Sequence, residues 1–297
     1  MEAEKTDVTI ISPRRIRTEY ALGDGSYGIV YKAMWTVGKG VTATETDVAI
    51  KIPKNPVLKD HAWTEVTRMS LLNHPNILSL HGITFPRGED SAPWIVMEYM
   101  ACGNLHSYIK AYPGGGMTST VMVKFAYGIA CGMTYLHHEM NQRHGDLAAR
   151  NCLVGPQETV KIGDFGKFED HDQNSSHDSD NNPFPCPLRW MAPENLPAAD
   201  RPPRFTRKGD IYAFGIVLFE IWSKGGTPFQ GLTDTQVMAA LADGDTPTRY
   251  QAIGAKWFII NLMDACWQFD PSKRPNFKYI KRELEDCAGH VLGLPNL

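Results

Sequence analysis

No apolar run in this chain is long enough to cross a bilayer. The longest, Ile211 to Trp222, is interrupted by Glu220 and reads as a buried helix. No apolar core follows Met1-Glu2-Ala3-Glu4-Lys5, so no secretory leader is expected. Basic residues are in slight deficit, 30 Lys and Arg against 33 Asp and Glu, giving a net charge of −3 and a pI near 6.4. That balance lacks the electrostatic footprint of a nucleic-acid binder. The six cysteines, at 102, 131, 152, 186, 266 and 287, form no Cys-x-x-Cys pair and read as isolated thiols of a reducing compartment. No repeat of roughly 20–50 residues is present.

What remains is the composition of a soluble globular protein: 297 residues, 42% hydrophobic and 21% charged. The length predicts one large domain or two lobes. Met1 to Arg15, polar and charged with Pro13, reads as a loosely held lead-in. Leu22-Gly23-Asp24-Gly25-Ser26-Tyr27-Gly28 is a Gly-x-Gly-x-x-Gly run followed by the β-formers Ile29, Val30 and Tyr31. In a dinucleotide-binding unit such glycines open a helix, so the strand that follows argues against that unit. Two readings stay open, a plain hairpin turn and a hairpin whose backbone N–H groups cover a polyphosphate. Thr36 to Asp47, rich in Gly and Thr, reads as a hairpin excursion that returns in the β run Val48-Ala49-Ile50-Lys51. A lysine ending an apolar strand is ordinarily solvated by snorkelling. Trp63, Val66, Met69 and Leu72 recur at helical spacing, with Glu65 as the acid of that helix.

Trp94 to Tyr99 reads as a strand, a helix starts near Leu105, and helical patterning resumes from Val121 to His138. Just past it lies His144-Gly145-Asp146-Leu147-Ala148-Ala149-Arg150-Asn151. A carboxylate can take a proton from an incoming hydroxyl, and an amide oxygen can ligate a metal. Together they are half of a phosphoryl-transfer centre, where positioning and charge neutralisation do most of the catalysis. In Asp164-Phe165-Gly166 the Asp-x-Gly spacing by itself is that of a common turn. Lys167 to Asn182 is rich in Asp, Asn, Ser and His without aliphatic side chains, and is expected to be a mobile acidic loop. Further on come Pro187-Leu188-Arg189-Trp190-Met191-Ala192-Pro193-Glu194, then Asp210 at the head of the apolar helix, then Cys266 to Pro275 with Arg274.

In order and spacing these segments resemble the protein-kinase catalytic domain from about Ile16 to Ala288. Leu147-Ala148-Ala149-Arg150 and Leu188-Arg189-Trp190 resemble its tyrosine-specific branch rather than the serine/threonine one. The resemblance implies an α+β, bilobal fold with a β-rich lobe (16–99), a hinge (about 97–103), a larger helical lobe (104–290) and a tail (291–297). It implies an ATP pocket walled by Leu22, Gly23, Gly25, Gly28, Val30 and Ala49 and floored by Leu153. Met97 would limit its depth and turn away bulky inhibitors, and backbone groups near Glu98 and Met100 would bond the adenine edge. Lys51, fixed by Glu65, would grip the α- and β-phosphates. Asp146 would be the catalytic base, Arg150 would help hold substrate and base, and Asn151 and Asp164 would ligate Mg2+, with Mn2+ as the alternative. His144, Phe165, Met69 and Leu80 would form an apolar spine between the lobes, and Arg274 would pair with Glu194. The implied partners are tyrosine-bearing protein substrates, and the implied place is the cytoplasm, either free or as the cytoplasmic part of a receptor.

Two departures matter. Gly145 stands where the family carries an arginine that in many members receives a phosphorylated activation loop, and Lys167 to Met191 contains no tyrosine. Together they predict activity that does not depend on phosphorylation of a loop tyrosine. Glu169, Asp170, Asp172, Asp178 and Asp180 read as a solvated acidic face, and Ser175, Ser176 and Ser179 as targets open to another kinase. Lys167 replaces an apolar residue and is expected to press on the inward packing of Phe165. The chemistry needs Lys51, Glu65, Asp146, Asn151 and Asp164, and all are present. The reading is a protein tyrosine kinase, and the alternative is a pseudokinase serving as a nucleotide-gated binding module.

Overall fold

The computed structural model describes residues 8–25, 27–38, 40–86, 88, 90–112, 116–165, 187–197, 202–249 and 253–292. Ser26, Gly166, Lys167 and the acidic loop as far as Cys186 lie outside the described residues, as do the first seven residues and the tail from 293. The expectations for that loop lie outside with them.

Five strands make the first lobe: β1 (Ile16–Asp24), β2 (Gly28–Val37), β3 (Thr44–Pro53), β4 (Leu80–Thr84) and β5 (Trp94–Glu98). They pair antiparallel in the order β1-β2-β3-β5-β4, and helix α1 (Lys59–Ser70) packs against β4 and β5. Alternation along β3 sorts its side chains. Val48 and Ile50 join Ala33, Val96 and Ile11 on the outer face, while Ala49 faces the main core. The second lobe holds α2 (Leu105–Lys110), α3 (Ser119–Thr134), α4 (Arg207–Trp222), α5 (Asp234–Ala242), α6 (Trp257–Cys266) and α7 (Phe277–Leu292). A short hairpin, β6 (Cys152–Val154) with β7 (Val160–Ile162), is tied to the first lobe by the Leu78 N–H, which donates to the Ile162 carbonyl at 2.8 Å. The bilobal α+β architecture read from the sequence is therefore observed.

Helix α4 is the floor of the second lobe. Every residue from Gly209 to Trp222 is buried, the condition of a helix apolar on all sides, and α2, α3 and α6 pack around it. Its first turn is capped by Thr206, whose side chain accepts the Gly209 N–H. Among the described residues no helix is long and apolar enough to cross a membrane.

Three local expectations need correcting. The excursion expected over Thr36 to Asp47 is shorter, because Thr36 still pairs with Glu45 and Val37 with Thr44, so the two strands run on to Val37 and from Thr44. The first helix begins at Lys59 rather than Trp63, since a turn over Pro56–Leu58 runs directly into it. The helix expected to reach His138 stops being α-helical at Thr134 and widens into a π turn over Tyr135–Glu139.

The segment ahead of β1 is also better held than its polarity indicated. The Ile11 N–H donates to the Ile83 carbonyl at 2.8 Å, and the Ile83 N–H to the Thr9 carbonyl at 2.9 Å, which adds a short parallel bridge outside β4. Ile11 is 3% exposed. Gly82 makes the approach possible, because a Cβ there would run into the Thr9 carbonyl oxygen. Gly82→Val is expected to release residues 9–11, seen as faster amide exchange at Ile11 and Ile83 and a melting temperature lowered by several degrees.

Candidate active site

Lys51 lies on β3 opposite Val30 of β2 and Ile95 of β5, so its side chain enters the cleft from the middle of the sheet. Its Nζ is 2.8 Å from both carboxylate oxygens of Glu65 on α1 and 2.9 Å from Oδ1 of Asp164, which follows β7. The first two residues belong to one lobe and the third to the other. Burial alone would lower the lysine pKa, but the charges of Asp164 and Glu65 outweigh it and carry it above the usual value. Glu65 is raised as well, by its burial first and with Asp164 adding to it against Lys51. One cation among two carboxylates leaves the buried cluster with a net negative charge, which favours retention of its protons.

That charge bears on the metal. A cation beside Asp164 would cancel the excess, and the Asp164 side chain keeps 31% of its surface exposed. Asn151 donates its amide to the Asp146 carbonyl at 2.6 Å and to Asp146 Oδ2 at 3.0 Å, which commits its nitrogen and leaves its oxygen as the ligating atom. No cluster of three or more His, Cys, Asp or Glu fit to hold a metal occurs among the described residues. Two hard oxygen donors suit Mg2+, which keeps water and phosphate oxygens as its other ligands. The residues present therefore fit Mg2+.

The loop that carries Asp146 is fastened from below. Asp210 accepts the His144 N–H at 2.7 Å, the Gly145 N–H at 2.8 Å, and a contact of 2.8 Å from His137 Nε2. Burial would raise this carboxyl, but His137, the charge of His144 and the Gly145 N–H together hold it below the usual range. Gly145 has φ of +83°, a left-handed conformation that would cost another residue about 1 kcal/mol. Asp146, 4% exposed, is bonded by Arg150 Nη2 at 2.6 Å. The Arg150 guanidinium lies over the Trp190 ring at 4.4 Å, and Trp190 Nε1 donates to Glu220 Oε2 at 3.0 Å. The same carboxylate oxygen accepts the Ala149 N–H at 2.9 Å. One buried acid on α4 thus holds the loop backbone and, through the indole, the arginine beside Asp146.

Asp164 has φ of +60°, an unusual conformation that aspartate tolerates better than most residues. Phe165 behind it is fully buried, edge-on to His144 with centroids 5.3 Å apart, and Arg68 of α1 donates to its carbonyl at 3.3 Å. Phe165 thus packs inward, and Lys167, expected to press on it, lies outside the described residues. Met69, 1% exposed, and the half-buried Leu80 lie in the apolar core that also holds Phe165.

Around the cleft, Gly28 pairs with Pro53, and a Cβ on it would lie 2.6 Å from the Ile52 carbonyl oxygen. Ala49 pairs with Met97, which is 6% exposed and also faces Leu80 across β5 and β4. Val30, Met100 and Leu153 pack with these residues, while Leu22 stays 43% exposed at the rim. The Glu98 side chain accepts from Lys161 Nζ at 2.7 Å, and the Glu98 backbone N–H donates to the Ser79 carbonyl at 3.0 Å. Gly23 lies near the end of β1, paired with Val30, and Gly25 just beyond it donates its N–H to the Gly28 carbonyl at 3.0 Å. Glu220, His137 and Arg68 were not singled out from the sequence. Only Glu220 left a signal there, as the lone acid in an apolar helix.

Arg274 is fully buried and grips Glu194 through two bonds of 2.6 and 2.8 Å, as the resemblance implied. Glu194→Ala would strand that guanidinium. The expected loss is about 3–5 kcal/mol, measured by denaturant unfolding.

A family model for protein tyrosine and serine/threonine kinases matches residues 16–284, and the chain belongs to that family. The tyrosine-protein kinase transforming protein Abl of Abelson murine leukemia virus is 33% identical over 287 residues, which is 96% of this chain and 35% of that protein. The tyrosine-protein kinase ABL2 of Homo sapiens is 33% identical over 96% of this chain and 22% of its own length. The tyrosine-protein kinase receptor TYRO3 of Rattus norvegicus is 29% identical over 97% of this chain and 33% of its own length. The chain thus spans 22–35% of the length of these relatives.

Proposed function

We propose that the protein is an active tyrosine kinase that transfers the γ-phosphoryl group of Mg·ATP to tyrosine hydroxyls of proteins. The observation that carries this reading is the bridge from Lys51 to Glu65 and Asp164, assembled across the two lobes beside Asp146 and Asn151. Lys51 would hold the α- and β-phosphates, and Glu65 keeps its ammonium from collapsing onto Asp164 alone. Asn151 and Asp164 would hold the metal, which neutralises charge on the transferred phosphoryl group. Asp146 accepts the phenolic proton as the oxygen attacks. Arg150, bonded to Asp146 and braced by Trp190, fixes the base and flanks the incoming ring. A phenol near pKa 10 needs less help from its base than an alkyl hydroxyl, consistent with a base already held by two donors. The printed names of the relatives, tyrosine kinases, support the same substrate class.

Activity independent of a loop phosphotyrosine belongs to this reading, since Gly145 offers no guanidinium and Lys167 to Met191 no phenol. Treatment with a tyrosine phosphatase is expected to leave turnover unchanged. Stoichiometric serine phosphate at Ser175, Ser176 or Ser179, with activity following it, would contradict that independence. The cytoplasm, free or as part of a receptor, is the setting proposed for the domain.

The direct test is phosphate transfer to a mixed Glu/Tyr polymer with Mg2+ and then Mn2+. Asp146→Asn is expected to lower turnover by about a hundredfold or more with nucleotide binding retained, whereas Lys51→Met weakens both. Gly145 also favours a second reading, a pseudokinase that binds nucleotide to capture a partner. Binding without transfer to tyrosine would select it.

A further inference from the structure

The tip of the glycine-rich hairpin is held at a point that the ATP pocket does not require. Tyr27, between β1 and β2, stacks face to face on His61 of α1, with centroids 3.9 Å apart and planes 10° from parallel. His61 precedes Glu65 by four residues, so both project from one face of the helix. Tyr27, His61, Lys51 and Glu65 line one small, open cleft together with Leu58 and Ile95. On the other side of the tip, Asp24 makes an ion pair with Lys54 beyond Lys51 on the same segment.

We propose that the Tyr27–His61 stack is a positioning contact that ties closure of the glycine-rich loop to the inward seat of α1. When α1 places Glu65 on Lys51, His61 one turn earlier offers the surface on which the loop tip rests. When α1 turns away, that surface leaves with it and the loop loses its hold. Loop and helix therefore close together, and His61 influences nucleotide binding without touching the nucleotide. This rests on the nucleotide-binding part of the function proposed above and adds two residues to it. Neither Tyr27 nor His61 belongs to the set that would contact phosphate or metal.

The test combines amide exchange with binding of a non-hydrolysable ATP analogue and Mg2+. In the nucleotide-free protein, His61→Ala is expected to speed exchange over residues 22–30 and in the first turns of α1. His61→Phe, which keeps a flat ring, should restore both. With the analogue, His61→Ala should weaken binding roughly three- to tenfold while His61→Phe stays near the parent, and kcat at saturating ATP should change little. Tyr27→Ala combined with His61→Ala should be no worse than either alone. Unchanged loop exchange in His61→Ala, additive effects in the double variant, or a His61→Phe protein as weak as the alanine variant would overturn the proposal. Failure of the nucleotide-binding part of that reading shows differently: the parent protein would bind no analogue, and the exchange arm would still decide whether loop and helix are tied.

Discussion

A carboxylate taken out of water must be met by donors, and the whole second lobe is arranged to meet Asp210. It is 2% exposed, sits in the first turn of the buried helix α4, and gathers the backbone N–H groups of His144 and Gly145 with the ring of His137. Unpaired, such a group would cost several kcal/mol; paired, it turns that cost into positional precision. The loop that carries Asp146, Arg150 and Asn151 is held on these bonds. Glu220, three turns further along α4, repeats the device with Ala149 and Trp190. Two buried acids on one rigid helix thus fix both ends of an otherwise irregular segment.

Across the cleft the logic is reversed. The Lys51, Glu65 and Asp164 side chains come from three segments and two lobes, so their 2.8–2.9 Å contacts exist only when the lobes and α1 are correctly placed. One side is anchored by burial within a single lobe, the other by agreement between lobes. Phe165 and His144 join the two, because the ring behind Asp164 packs on the residue whose backbone is bonded to Asp210.

The bilobal fold and the chemical residues were legible because motif order is preserved along the chain and each motif carries its own residue chemistry. Lys51 and Glu65 could be paired from their motifs, yet their distance depends on the seat of α1, which local periodicity does not encode. Gly145 was visible as a missing arginine, but its left-handed backbone was not, since many glycines adopt ordinary conformations. His137 gave no signal because it turns inward through the π turn that ends α3, and helical periodicity does not foresee an extra residue in a turn. Val8, Ile10 and Ile11 are three apolar residues behind a polar, charged start, a run too short to establish a strand period.

The short bridge that residues 9–11 add outside β4 also has a bearing on solubility. It covers the row of N–H and C=O groups at the sheet edge, and Ile11 lies over Val48, Ile50 and Val96 on the outer face. The family match begins only at residue 16, so a fragment trimmed to that boundary would bare both an unpaired strand edge and an apolar patch. Those are the surfaces through which β proteins stick to one another. The few residues that look most dispensable in the sequence act as the sheet's guard against self-association.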